Sequence, residues 1–228
     1  MARFRPIFDT TLAVEGGFQQ QSADKGNYCG GNLIGTKYGI AAGGAYQDVL
    51  GRCPTTNEIK NLTKDEAYKI AKKYYWDKVK GDDIENQALA HIIFDSLYGS
   101  CYGLRDVRRA VNEVAKKQVV NGDSAYCSLS SKEVSEINKL NPKKLIDSIK
   151  QYRFSRLSSL SNWGTYGAGW TNRWNEIMGQ YSVSDLAKSA KTYAKKNVLL
   201  TILIGVLLVL LVLFLAYRKQ ILNKLKVQ

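Results

Sequence analysis

Residues 12–40 read LAVEGGFQQQSADKGNYCGGNLIGTKYGI, and the rest of the chain is read outward from them. Just upstream, Phe4, Phe8 and Leu12 recur every four residues, the spacing of one helix face. That helix closes at Glu15. Gly16-Gly17 follow at once, and glycine readily takes the left-handed conformation that ends a helix. A carboxylate in the last turn meets the negative end of the helix dipole, which disfavours its ionised form. A group that donates a proton near neutral pH needs such a push, and burial beside Phe18 would add to it. Beyond the helix lies a loop rich in Gly, Asn and Gln, able to fold as a hairpin over one side of a cleft. It carries Asp24 nine residues after Glu15, and then Thr36. Glutamates at helix ends are usually solvated charges, so spacing alone leaves the acid reading open.

Glu15-Gly16-Gly17-Phe18, Asp24-Lys25-Gly26 and Thr36-Lys37-Tyr38-Gly39-Ile40 together resemble the opening of glycoside hydrolase family 108. The family comprises lysozyme-like N-acetylmuramidases of the phage endolysin type. The resemblance implies that Glu15 is the catalytic acid and that Asp24 and Thr36 flank the attacking water. No cofactor or metal is expected. Here Asn27 to Gly35 lie as extra residues between the aspartate turn and the threonine.

The chain has 228 residues, room for one or two small domains plus an appendage, and a net charge of +13. From Asp185 onward there are eight Lys/Arg against one Asp, so about half of the excess belongs to the tail. The body is basic as well, which suits an anionic polymer: cell wall, lipid headgroups or nucleic acid. No helix-turn-helix, RNA-recognition or Gly-rich phosphate signature supports a nucleic-acid binder. The four cysteines (Cys29, Cys53, Cys101, Cys127) show no C-x-x-C spacing and the chain has one His, which argues against zinc. They allow three pairings. The N-terminus lacks the apolar core and cleavage site of a secretory peptide, so free thiols are expected and residues 1–15 read as the first helix of the folded domain.

Further along, residues 41–62 read as a connector with one short helix. Thr63 and Glu66 form a capping box opening a helix to about Val79, with Ala67, Ile70, Ala71 and Tyr74 on one face. Asn86 to Tyr98 is more apolar and reads as a central buried helix, with His91 a structural histidine. The family resemblance continues here, although Leu97-Tyr98-Gly99 stands where many members carry a Val-Asn-x-Gly-like turn. Arg105 to Val119 reads as a basic helix and Asn121 to Leu129 as a polar linker. Ser130 with Glu133, and Asn141 with Pro142, open two more helices. In the latter, Leu145, Ile146, Ile149 and Phe154 fall at core spacing.

Residues 161–181 hold three of the four tryptophans. Aromatic rings stack on the apolar faces of sugars, while Asn and Arg bind hydroxyls and carboxylates. A packed aromatic cluster would look the same in composition. Gly169-Trp170-Thr171-Asn172-Arg173 is similar to the G-W-x-N-R signature of the family's peptidoglycan-binding region, which implies substrate-binding roles for Trp163, Tyr166, Trp170, Asn172 and Arg173. Finally, Val198 to Tyr217 is twenty residues without a charge. As a helix at about 1.5 Å per residue it would cross a bilayer core of about 30 Å. Basic flanks on both sides leave its orientation open.

The expected fold class is mainly α: a lysozyme-like helical domain with a small hairpin lobe, a short helical C-terminal region, then one transmembrane helix. The expected divisions are 1–120 catalytic, 121–181 peptidoglycan-binding, 182–197 a basic tether, 198–217 transmembrane and 218–228 a basic tail. The expected function is an N-acetylmuramidase cleaving the β-1,4 bond between N-acetylmuramic acid and N-acetylglucosamine in bacterial cell-wall lysis. Its expected partners are peptidoglycan strands, a lipid bilayer and a separate holin or secretion machinery. A lytic transglycosylase and a non-enzymatic, membrane-anchored wall-binding protein are the alternatives.

Overall fold

The computed structural model describes residues 1–182 and Asp185; in the first helix, the side chains of Ala13, Val14 and Glu15 lie outside that description. The candidate membrane segment 198–217, its tether beyond Ser182 apart from Asp185, and the basic tail lie outside it too. Among the described residues no helix is long and apolar enough to cross a membrane. The described residues form one compact unit.

Helix α1 (Phe4–Glu15) ends at Glu15 as expected, with Gly16 at φ 69° turning the chain away. Two miniature hairpins follow, β1 (Tyr28–Cys29) with β2 (Asn32–Leu33) and β3 (Thr36–Lys37) with β4 (Ile40–Ala41), each antiparallel. Both turn through two residues at positive φ, Gly30-Gly31 and Tyr38-Gly39, the twist that suits tight hairpins. Gly39 has a second reason to be glycine, since a Cβ there would lie 2.6 Å from the ring of Tyr98. The connector expected to hold one short helix holds two, α2 (Ala45–Leu50) and α3 (Thr56–Asn61). The second has a capping box of its own, Thr55 with Glu58, and is locally encoded in the way α4 (Lys64–Ala71) is by Thr63 and Glu66.

Instead of running straight to Val79, α4 widens at Lys72–Trp76, where Asp77 N–H reaches back to Lys72 O at 2.8 Å. The wide turn delivers Trp76 into the core. Its ring stacks on Phe4 at 5.0 Å, and its Nε1 donates to Asp82 at 2.8 Å. Helix α5 (Gln87–Gly99) is the central helix the sequence suggested, with Leu89, Ile92, Ile93 and Phe94 fully buried. Each such burial contributes about 2 kcal/mol of apolar transfer energy. His91 is buried with them, Nδ1 3.0 Å from the Tyr181 hydroxyl; burial pulls its pKa down to about 4 and pushes that of Tyr181 up to about 12.

The basic helix starts and stops earlier than its periodicity implied. Helix α6 spans Cys101–Ala115, capped by Ser100 and ended by Lys116 at φ 54°. Helices α7 (Ser131–Lys139), α8 (Pro142–Ser158) and α9 (Trp163–Gly179) complete the described elements; α6 packs along α8, and α5 touches α6, α8 and α9 in one core. The expected polar linker is held firmly. The buried guanidinium of Arg108 donates to the carbonyls of Ser124, Tyr126 and Ser128 and pairs with Glu133 at 2.5 Å.

The expectation of free thiols is corrected. Cys29 bonds Cys53 and Cys101 bonds Cys127, with Cα atoms 5.6 and 4.8 Å apart. Partners 24 and 26 residues apart come together only through the packing of the lobe and of the Arg108-held loop, which no spacing rule encodes.

Candidate functional site

A cleft of about 910 Å³ runs between the hairpin lobe and the helical body. Gln21, Ala23, Asp24, Lys25 and Gly39 line one side. Its floor is the junction of α5 and α6, with Ser96, Tyr98 and Ser100. The far wall comes from α6, α8 and α9, including Arg105, Arg153, Tyr166, Trp170 and Arg173.

Asp24 is exposed at the start of a 3-10 turn, its Oδ1 accepting from Gly26 N–H at 2.9 Å. Thr36 sits on β3, and its hydroxyl donates to Asn27 Oδ1 at 2.6 Å. A polar chain links the two residues. The Gln19 amide donates to Asp24 Oδ2 at 3.3 Å and to Asn27 Oδ1 at 3.1 Å, and Asn27 Nδ2 returns a bond to Gln19 Oε1 at 2.9 Å. Gln19 is in place because its backbone exchanges two 2.9 Å bonds with Thr36. Asn27 is fully buried, so a side chain unable to make these bonds would leave several polar groups unsatisfied. Asp24 and Thr36 thus share one hydrogen-bonded frame, and the nine extra residues between them form the β1–β2 hairpin that closes it. The backbone of Glu15 ends α1 four residues before Gln19; its side chain lies outside the described part.

The aromatic segment divides along α9. Tyr166 and Trp170 line the cleft with their rings 6.0 Å apart, and Tyr166 is 41% exposed. Trp163 instead packs against Phe154 and Trp170, with its ring over Gly167, and Trp174 is buried against Phe154. Asn172 is exposed and, like Trp163, is not among the lining residues. Arg173 lines the cleft and reaches below it, Nε to Asp95 Oδ1 at 2.5 Å, while Arg153 holds Oδ2 at 2.6 Å. Asp95 is wholly buried. Burial alone would raise its pKa, but the two guanidinium groups outweigh it and hold the carboxyl below its ordinary range. Asp106 shows the opposite balance, since burial raises its pKa despite Arg156 at 2.8 Å.

Sequence reasoning missed Gln19 and Asn27, which it read only as polar loop. It missed the arginines of the far wall other than Arg173 as well. Their signal was present as helical spacing: Arg105 and Arg109 four apart on α6, Arg153 and Arg156 three apart on α8. The cleft can hold an extended polymer, stack it on Tyr166 and Trp170, and offer a carboxylate on the lobe side and cations on the other.

Residues 8–100 match the family model of glycosyl hydrolase 108. The match ends before the G-W-x-N-R stretch. No curated protein matches the chain. Among solved structures the fold is similar to that of SagA from Brucella abortus, with a TM-score of 0.65 and 24% identity, covering 82% of this chain and 95% of that one.

Proposed function

We propose that this chain, a glycoside hydrolase carrying a glycosyl hydrolase 108 domain at residues 8–100, cleaves the β-1,4 bond between N-acetylmuramic acid and N-acetylglucosamine in bacterial peptidoglycan. The observation that carries the reading is the family match, which includes Glu15, Asp24 and Thr36, together with a polymer-sized cleft beside that same lobe. Glu15 donates a proton to the glycosidic oxygen as positive charge builds on the sugar ring. Asp24, oriented through Gln19, accepts a proton from the attacking water, and Thr36 holds the frame on which that water is placed. Tyr166 and Trp170 stack the sugars, and the cationic wall favours an acidic polymer. Two disulfides suit an oxidising compartment outside the cytosol. The uncharged stretch 198–217 supplies a membrane anchor for an enzyme acting on the wall.

Glu15→Gln preserves shape and removes the acid. Clearing of purified peptidoglycan should cease while the thermal transition stays within a few degrees of wild type; undiminished clearing would remove Glu15 from the mechanism. Mass spectrometry of the products distinguishes hydrolysis, which leaves reducing muramic ends, from transglycosylation, which leaves anhydro-muramic ends.

A further inference from the structure

The charge of the cleft is more lopsided than sugar binding requires. Six cations line it (Lys25, Arg105, Arg109, Arg153, Arg156, Arg173) against one lining carboxylate, Asp24. Arg153 and Arg173 share Asp95, Arg156 pairs with Asp106, and Arg109 with Asp123 at 2.6 Å. Arg105 makes no ion pair among the described residues, although after Arg109 it helps hold the Asp123 carboxyl below its ordinary range. Its guanidinium lies over the Tyr102 ring, 5.2 Å from the centroid, and its Nε is buried without an acceptor. A buried donor left unsatisfied is uncommon and calls for an explanation. Arg109 is one turn further along the same face of α6, and Arg156 reaches the same wall from α8. Each of these two bonds its own carboxylate through a single nitrogen, leaving other N–H groups of the guanidinium without a protein acceptor among the described residues.

We propose that Arg105, flanked by Arg109 and Arg156, is a carboxylate-reading subsite, so that the enzyme grips the wall polymer by its acidic substituents as well as by its sugars. The inference rests on the wall-glycan reading above and deepens it. A carboxylate meets a guanidinium in two parallel N–H···O bonds, a geometry that neutral hydroxyls do not reproduce. Peptidoglycan offers carboxylates from two sources, the stem peptide and the lactyl group that is freed when the peptide is removed. Both ask the same chemistry of Arg105.

The test uses the full-length chain and three substrates: intact peptidoglycan, the same material with its carboxylates converted to amides, and amidase-stripped strands whose remaining carboxylate is lactyl. Wild type should lose about tenfold in kcat/KM on amidation, the size of one charge-assisted contact. Arg105→Gln should show that loss already on intact material and little further loss on amidation, while Arg105→Lys should recover part of it. Persistence of the Arg105→Gln defect on stripped strands shows that the subsite reads the freed lactyl carboxylate as well as those of the peptide; its disappearance there assigns the peptide alone. If the effects of Arg105→Gln and amidation multiply, or the variant matches wild type on intact material, the subsite is overturned. A wild type that cleaves none of the three overturns the wall-glycan reading and the subsite with it.

Discussion

The hairpin lobe and the helical body face each other across the cleft but are held by different forces. The body rests on an extended apolar core wrapped round α5, with a buried charge cluster at Asp95 between Arg153 and Arg173. The lobe has a small apolar cluster of its own, Cys29, Ala42 and Ile59, plus a disulfide and the Gln19–Asn27 amide pair. Apolar packing tolerates small displacements, whereas hydrogen bonds and a disulfide hold particular atoms at particular distances. The body therefore carries most of the stability, and the lobe sets the geometry around Asp24 and Thr36.

The harshest challenge to this division is Asp95→Asn. It removes the carboxylate that the largely buried Arg153 and Arg173 share and should cost about 3–5 kcal/mol in urea unfolding. A variant of normal stability would show that the body does not depend on the cluster. Because the native carboxyl titrates below its ordinary range, its contribution is present above that range, about pH 3.9, and is lost as pH falls through the lowered native value.

A milder acid effect belongs to His91. Its native pKa of about 4 lies below the unfolded value, so unfolding takes up a proton between the two. Stability should fall by about 3 kcal/mol as pH drops from about 6.5 to 4, and a pH series of unfolding curves for His91→Gln should lack most of that fall.

Replacing Cys29 and Cys53 by Ser opens a loop of 24 residues and should cost about 3 kcal/mol. Hydrogen exchange sharpens the contrast. Amides of the two hairpins should lose protection while those of α5 keep theirs; uniform loss would mean that lobe and body unfold as one. The smallest effect expected is that of Asn27→Ala, about 1–3 kcal/mol from unsatisfied partners. Its activity on peptidoglycan should nonetheless fall at least tenfold, because Gln19 and Thr36 lose their common anchor. Intact activity would detach the amide frame from the chemistry.

Local signals carried much of the helical body. Thr63 with Glu66, Ser130 with Glu133 and Asn141 before Pro142 each begin a helix where their side chains satisfy the first free N–H groups. Helix α5 was legible because it is apolar on nearly every side. The end of α1 at Glu15 was legible from Gly16-Gly17. The wide turn at Lys72–Trp76 was not, since what it satisfies is the fit of Trp76 between Phe4, Phe94 and Gly81. Tyr166 and Trp170 could not be told from Trp163 and Trp174 by composition, because one helix presents all four rings and only its neighbours decide which are covered.

Short-range rules therefore settle where helices start and stop, which residues are apolar enough to be buried, and which motif opens the chain, since these depend on chemistry within a few residues. The disulfide partners, the Gln19–Asn27 frame between Asp24 and Thr36, and the arginine wall depend on groups brought together across 8 to 78 residues of chain. Such encounters are bought by packing the whole domain, and no local periodicity records them.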